Sequence, residues 1–438
     1  MQPVNVLRRR NRLLLIGTLA LGTAFSGVVH WIKVREAQGI DDIGKRVNHL
    51  FTTASQRPQN RQPLRGTAAA GNAWESYNKA FDLVKSATPR ATLLSQYHLM
   101  KDGVSAEMLS QVIRDLVSTS SSEQVIQLMR RGVQCSTVQS GSLATQARGI
   151  GRPDSTICEY IALVSLHRAR MLAAQGLLLQ SAQVILDCAT FGRDVGQAGF
   201  RDMEGIGAVI IATALDDLRR LLVCEQFPHD HFLDMERELA VLDSMSLDHG
   251  AILLNETGRI GLILLERPDW PGALMYSEND DLHKWRYCFS ETLLKVSLFR
   301  HIDRCMTREA AVSSHTWEEV RRSHSEIDRE VHSSSLPYWQ YGVHAYAWTG
   351  WIRSLLAKQR LLRSLTHFRR TGDHLQLADP FGDLLLHTSD RKGHYRVWSV
   401  GDLAIGEDRS NLWKDANMQN SAIVLDFYAT PPNSQGPK

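Results

Sequence analysis

An apolar run close to the start of the chain restricts its possible arrangements more than any other feature. In Leu13 to Ile32, "LLLIGTLALGTAFSGVVHWI", the only titratable side chain is His30, near the far end. A helix of about 20 apolar residues spans the roughly 30 Å hydrocarbon core of a bilayer. Arg8, Arg9, Arg10 and Arg12 precede the run and outweigh Lys33 and Arg35 behind it. The positive-inside rule then keeps the N-terminus in the cytoplasm and sends everything after Ile32 outside. The expectation is a signal anchor in a cytoplasmic membrane, with an extracytoplasmic body. A cleaved signal peptide is the alternative, because Ala24, Phe25 and Ser26 bring small residues at cleavage spacing. The run continues past that point to Ile32, which favours an anchor that is kept.

The rest of the chain is compositionally ordinary, with 43% hydrophobic and 22% charged residues. Its net charge of +3 is exceeded by the four N-terminal arginines alone. The remainder is therefore nearly neutral, which argues against a nucleic-acid binder that must neutralise many phosphates. Six cysteines suit an oxidising compartment, and none forms a C-x-x-C pair, so neither a zinc ribbon nor a thioredoxin motif is supported. Cys135 and Cys158 bracket a Gly/Ser-rich loop; a disulfide there and two buried free thiols are both open.

"TTASQRPQNRQPLRGTAAAGN", Thr52 to Asn72, is polar, carries two prolines and lacks apolar periodicity, which reads as a linker. From Ala73 a 3.6-residue period takes over. Ser105 caps a stripe of Met108, Leu109, Val112, Ile113 and Leu116. Ser120 and Glu123 form a capping box ahead of Val125, Ile126 and Met129, with Gly132 as the stop. Two helices follow, hinged near Gly176. Ile206, Ile210, Ala214, Leu218 and Leu221 line a third; Phe232, Met235, Leu239 and Leu242 line a fourth, started by Asp230. Further helical patterns run over about 289–307, 316–331 and 338–370. No 34-residue period carries a tetratricopeptide set, so the body is predicted as irregular antiparallel helical hairpins.

"DPFG", Asp379 to Gly382, ends that pattern. Pro380 presets φ, Gly382 permits a sharp corner, and alternation then predicts a hairpin with Tyr395, Val397 and Ser399 on one face and Arg396 and Trp398 on the other. The fold class predicted is mainly α, with an N-terminal transmembrane helix and a small C-terminal β-hairpin cap. The divisions are a cytoplasmic tail over 1–12, the membrane helix over 13–32, a juxtamembrane segment and linker over 33–72, and a helical-hairpin domain over 73–265. A second helical region over 266–372, a β cap over 373–428 and a disordered tail over 429–438 complete them.

"NAWESYNKAFDLV", "LHRARMLAAQG", "TFGRD" and "GIGAVIIATALDDLRRLL" resemble a family of uncharacterised, membrane-anchored helical proteins from planctomycete and myxobacterial envelopes. These are packing motifs and imply no reaction. The Asp379–Gly382 turn and the hairpin after it resemble the C-terminal end of type II secretion major pseudopilins. In pseudopilins the following loop binds calcium. Here it is "GDLAIGEDRSN", without the usual acidic spacing, and Asp402, Glu407 and Asp408 are the oxygen donors a calcium site would use. No prepilin cleavage motif precedes the anchor.

Other candidates for chemistry are thin. His324, Asp328 and His332 fall on one helical face, but the outer two lie about 12 Å apart along the axis, too far to share an ion. His229 and His231 flank Asp230 without further ligands at a recognisable spacing. Trp339, Tyr341, Tyr346, Trp348 and Trp351 concentrate aromatics where helical spacing predicts core packing, and where a ligand groove would sit if one exists. No nucleophile elbow, zinc-protease, P-loop or dinucleotide motif is present, and the adjacent Asp216 and Asp217 diverge by about 100° on a helix. The reading is a scaffold or partner-binding module of the cell envelope, with envelope protein partners, no nucleic acid, no cofactor and no catalytic residues. The alternatives are an envelope hydrolase using carboxylates in an interhelical cleft, and a calcium-binding, pseudopilin-like secretion component.

Overall fold

The helical period read along the sequence becomes helices almost throughout. The computed structural model describes residues 3–57, 61–87, 120–224, 226–270, 290–333, 340–382, 385–391, 394–399 and 423–428. Backbone alone is described for 3–22, 87, 120, 331–333, 340–347, 390–391, 394, 423–424 and 426–428. The stripe expected from Met108 to Leu116, its cap Ser105, and the acidic loop with Asp402, Glu407 and Asp408 lie outside the described residues.

Among the described residues the fold is mainly helical with two small sheets. Helix α1 (Pro3–Ser55) is followed by strand β1 (Ala69–Asn72), α2 (Ala73–Ala87), α3 (Ser120–Gln134), β2 (Cys135–Thr137) and the short α4 (Leu143–Ala147). Then come α5 (Ser155–Ala174), α6 (Leu178–Gly196), α7 (Arg201–Leu222), α8 (Phe232–Ser244) and α9 (His249–Glu266). Last are α10 (Glu291–Val312), α11 (Trp317–Ser333), α12 (Gln340–Thr371), β3 (His387–Arg391), β4 (His394–Ser399) and β5 (Ile423–Tyr428).

Residue chemistry explains the boundaries. Asp154 caps α5 through the Thr156 amide, and Asp248 caps α9 through that of Ala251. Gly176 takes φ 77° between α5 and α6, the left-handed turn that glycine adopts at least cost, so the expected hinge is there. Gly132 does not end α3, which continues to Gln134. A Cβ at Gly132 would collide with the Tyr77 ring, so its smallness admits α2 against α3. Asp230 stays exposed in a 3-10 turn and does not cap α8, whose N-cap is His231 without a side-chain bond.

The motifs read as packing signals act as such. A Cβ at Gly207 of α7 would run into the backbone of Gly192 and Gly196 on α6, so these two helices touch through glycine. Gly205, on the same helix, faces Trp348 of α12, whose ring a Cβ would meet at 2.6 Å. The main apolar core joins α2, α3, α5–α8 and α12, and it includes Tyr395, Val397 and Leu425 of the C-terminal sheet. A second core is made of α1, α9 and α10, with Ile43, Val47, Leu253, Ile263, Phe299 and Trp270. Each of the two apolar clusters draws residues from both 73–265 and 266–372.

Helix α1 is the largest departure from expectation. It runs unbroken from Pro3 to Ser55, and its C-terminal half buries Ile43, Val47, Leu50 and Ala54. Arg46 of α1 holds Asp303 of α10 at 2.9 Å. The stretch read as a linker is helical to Ser55 and then tied into the body. Leu64 enters the main core, and Arg61 is buried against Asp194 and the Cys135 carbonyl. A remote carboxylate supplies what the polar local sequence concealed. Toward the N-terminus Phe25, Val28 and Trp31 are 71%, 55% and 59% exposed. Among the described residues no helix is long and apolar enough to cross a membrane. Residues 13–22 of the expected span are described by backbone alone.

The C-terminal cap is a three-stranded antiparallel sheet, β3-β4-β5, and not a lone hairpin. Ile423–Tyr428 adds the third strand, pairing Tyr395 with Phe427 and Val397 with Leu425. Tyr395, Val397 and Ser399 are buried while Arg396 and Trp398 are half-buried, as the alternation predicts. Tyr395 stacks on Phe368 of α12 at 4.0 Å and shares a 2.7 Å hydrogen bond with Ser364.

Candidate functional site

The turn that opens the cap also completes a wall of a cleft in the body. Asp379 organises that turn, accepting from the Phe381 amide at 3.0 Å and from the Ser399 hydroxyl at 2.6 Å. Phe381 packs edge-on against Trp317 of α11 at 5.2 Å. The start of α9, the end of α10, the α10–α11 turn, the middle of α12 and Arg57 form the remaining walls. They enclose about 920 Å³, in the upper range of small-molecule sites.

Apolar and charged groups share those walls. Leu247, Leu254, Ile352 and Leu356 supply the apolar surface. Arg353 donates to the Pro380 carbonyl at 2.7 Å and to the Ser313 carbonyl at 2.9 Å, and it also reaches that of His315. Its guanidinium lies 5.4 Å above the Trp317 ring. Burial pushes Arg353 down to about 10, since no counter-charge opposes the loss of water. Arg57 is also pushed down by burial, with Asp248 opposing, and makes two long bonds of 3.3 Å to Ala251 and Asn255. Arg360 is committed to Asp243 at 3.1 Å and to the Ala378 carbonyl. Asp248 and Asp379, the carboxylates among the cleft's described residues, both accept hydrogen bonds from the fold.

Two buried histidine pairs are relevant to chemistry. His249, at the cleft wall, meets Glu204 through Nδ1 at 2.7 Å, and its Nε2 is enclosed without a partner. His301 faces Cys305 at 3.7 Å. Burial pushes that thiol up to about 11 and the imidazole down, so both stay neutral and no thiolate nucleophile arises. The staple considered between Cys135 and Cys158 is not formed: both are buried free thiols of the main core.

The candidates read from the sequence are not brought together. His324 turns to Glu309 at 3.3 Å, and the His332 side chain lies outside the described residues. His229 is exposed in the turn before α8. Asp217 pairs with Arg170 and Asp216 with Lys358, on diverging sides of α7. Trp348 and Trp351 form an edge-on pair at 5.0 Å, and Arg201 covers Trp348, so these aromatics pack against α7. Trp339 and the side chains of Tyr341 and Tyr346 are outside the described residues. Among the described residues no group of three His, Cys, Asp or Glu side chains is placed to hold a metal. Arg57, Arg353 and His249 had no signal in the sequence beyond their residue types, because five separate segments build the cleft.

Comparison with protein-family models, with curated proteins and with solved structures returned no match in any of the three.

Proposed function

We propose that this chain is a binding module mounted on a cell-envelope membrane, with α1 as both anchor and structural post. The observation that carries the reading is the continuity of α1. One helix holds the apolar run Leu13 to Ile32 at one end and packs into the α9–α10 core at the other. Phe25, Val28 and Trp31 on its N-terminal part are each more than half exposed among the described residues, as side chains facing lipid would be. Arg35 lies 5.5 Å from the Trp31 ring at the point where the apolar run ends. Tryptophan and arginine commonly sit at that depth, at the membrane–water interface. The arginines at 8–10 and 12 support a cytoplasmic N-terminus and an extracytoplasmic body, which is also what the resemblance to anchored envelope proteins implies. The body then offers its cleft to a ligand or partner at a fixed height above the bilayer, in place of a flexible tether.

The test is an alkaline carbonate wash of bacterial membranes carrying the full chain, with protease added to the outer face. The chain should stay in the pellet, and its body should be digested from outside. A Leu19→Arg, Leu21→Arg variant should move to the soluble fraction, since each central arginine opposes insertion by about 2.5–3.5 kcal/mol. Release of the unmodified chain by carbonate would defeat the proposal.

A further inference from the structure

Arg353 is 9% exposed, lines the cleft and forms no ion pair among the described residues. The three carbonyls it reaches fix the fork in place but carry only partial charge. They include the end of α10, whose aligned peptide dipoles amount to about half a charge at most. A guanidinium has five N–H donors, so donors remain after those bonds. A buried cation with no anion beside it is costly, and an oxyanion is its natural complement.

The surrounding charges sharpen the chemistry. Arg360 is neutralised by Asp243, His315 stands 3.7 Å from Glu319, and His249 is taken by Glu204. Asp248 caps α9 and Asp379 holds its own turn, so neither replaces an ion-pair partner for Arg353. Arg57 adds a second guanidinium on another wall. Leu247, Leu254, Ile352 and Leu356 line the same space. A bare ion would leave those side chains against water.

We propose that this cleft binds a small amphipathic oxyanion, an organic carboxylate or phosphate ester, with its charged group on Arg353 and its apolar part against α9 and α12. The ligand is soluble and is not a lipid headgroup. Arg57 follows Ile32 by 25 residues, mostly helical, which places the cleft roughly 35 Å along α1 from the end of the apolar run. This deepens the reading of the body as a binding module, yet it is tested separately from the anchor. A failed carbonate wash leaves the titration below intact, and a failed titration leaves the wash intact.

The experiment is calorimetric titration of the full chain in phosphatidylcholine nanodiscs with phenyl phosphate, inorganic phosphate and benzylamine. Phenyl phosphate should bind at a single saturable site, inorganic phosphate at least tenfold more weakly, and benzylamine not at all. Arg353→Gln should weaken phenyl phosphate at least tenfold, with Arg353→Lys in between. Because Arg353 also braces three carbonyls, Ser314→Trp serves as a second variant: the residue is an exposed part of the cleft wall, and the indole should block binding without removing a buried contact. Arg148→Gln, in an exposed pair with Glu266, should change nothing. Equal binding of benzylamine, or wild-type binding by both Arg353→Gln and Ser314→Trp, would overturn the proposal. Loss of phenyl phosphate binding in phosphatidylglycerol nanodiscs would overturn the assignment to a soluble ligand.

Discussion

Asp194 shows how single residues hold this fold. Its side chain is fully buried and accepts from Arg61, from the Tyr77 hydroxyl at 2.6 Å and from Arg193 at 3.1 Å. Removing the carboxylate strands a buried guanidinium, so Asp194→Ala should cost about 3–5 kcal/mol in a urea melt. Tyr77→Phe, which removes one bond to a charged group, should cost about 1.5–3 kcal/mol. None of this was legible in the sequence, because Arg61 and Asp194 are 133 positions apart and Arg61 sits in a proline-containing polar stretch. The thiols give a simpler test. Burial pushes Cys158 and Cys188 far up and Cys305 up to about 11. Among Cys135, Cys158, Cys188, Cys224 and Cys305, only the half-buried Cys224 should alkylate quickly in the folded chain. Finding Cys135 and Cys158 in one disulfide-linked peptide would contradict that. Glu236 reports on acid stability. Burial alone would raise it, but hydrogen bonds from Arg370 and His367 outweigh burial and hold it below its ordinary value. Its contribution is therefore present above the unfolded carboxylate range, near 4.5, and is lost as pH falls through its lower folded value. Glu236→Gln should flatten the acid limb of a stability–pH curve and leave the alkaline limb unchanged.

At the scale of elements, the helical period and the glycine motifs were legible because they depend on local pattern. "GIGAVII" carries its meaning in spacing: Gly205 admits Trp348 and Gly207 admits the backbone of α6. Gly207→Ala should cost about 1–3 kcal/mol or more through overpacking, read as a lower urea midpoint with an unchanged slope. The cap was legible in its alternation but not in its third strand, which returns from beyond a long intervening segment. Tyr395 is its anchor on α12, and Tyr395→Ala should cost about 3–5 kcal/mol. Trp398 is only half-buried, stacked on His387 at 5.2 Å, so Trp398→Ala should cost less, about 1–2 kcal/mol. Burial pushes the Tyr395 hydroxyl up to about 12 while its bond with Ser364 opposes the rise. A raised folded value means that this stability is whole below pH 10 and declines as pH rises toward 12. Tyr395→Phe should remove that decline.

For the whole molecule, the sequence marked an apolar run, a juxtamembrane segment and a linker as three consecutive pieces. The structure makes the first two parts of one helix, Pro3–Ser55, and ties the third to the core. The reason is long-range: the face carrying Ile43, Val47 and Leu50 finds its cover on α9 and α10, more than 190 positions later in the chain. The cleft was invisible for the same reason, being assembled from α9, α10, α12 and the Asp379–Gly382 turn. The central claim is that α1 and the body are one rigid unit, and electron–electron distance measurement on the full chain in nanodiscs tests it most directly. Spin labels at Phe25→Cys and Thr53→Cys, in a Cys224→Ser, Cys288→Ser background, lie 28 residues apart on α1. An unbroken helix predicts a single narrow distribution near 42 Å, at about 1.5 Å per residue. A broad distribution extending well below that distance would mean that the helix is interrupted and the body is tethered, which would contradict the account.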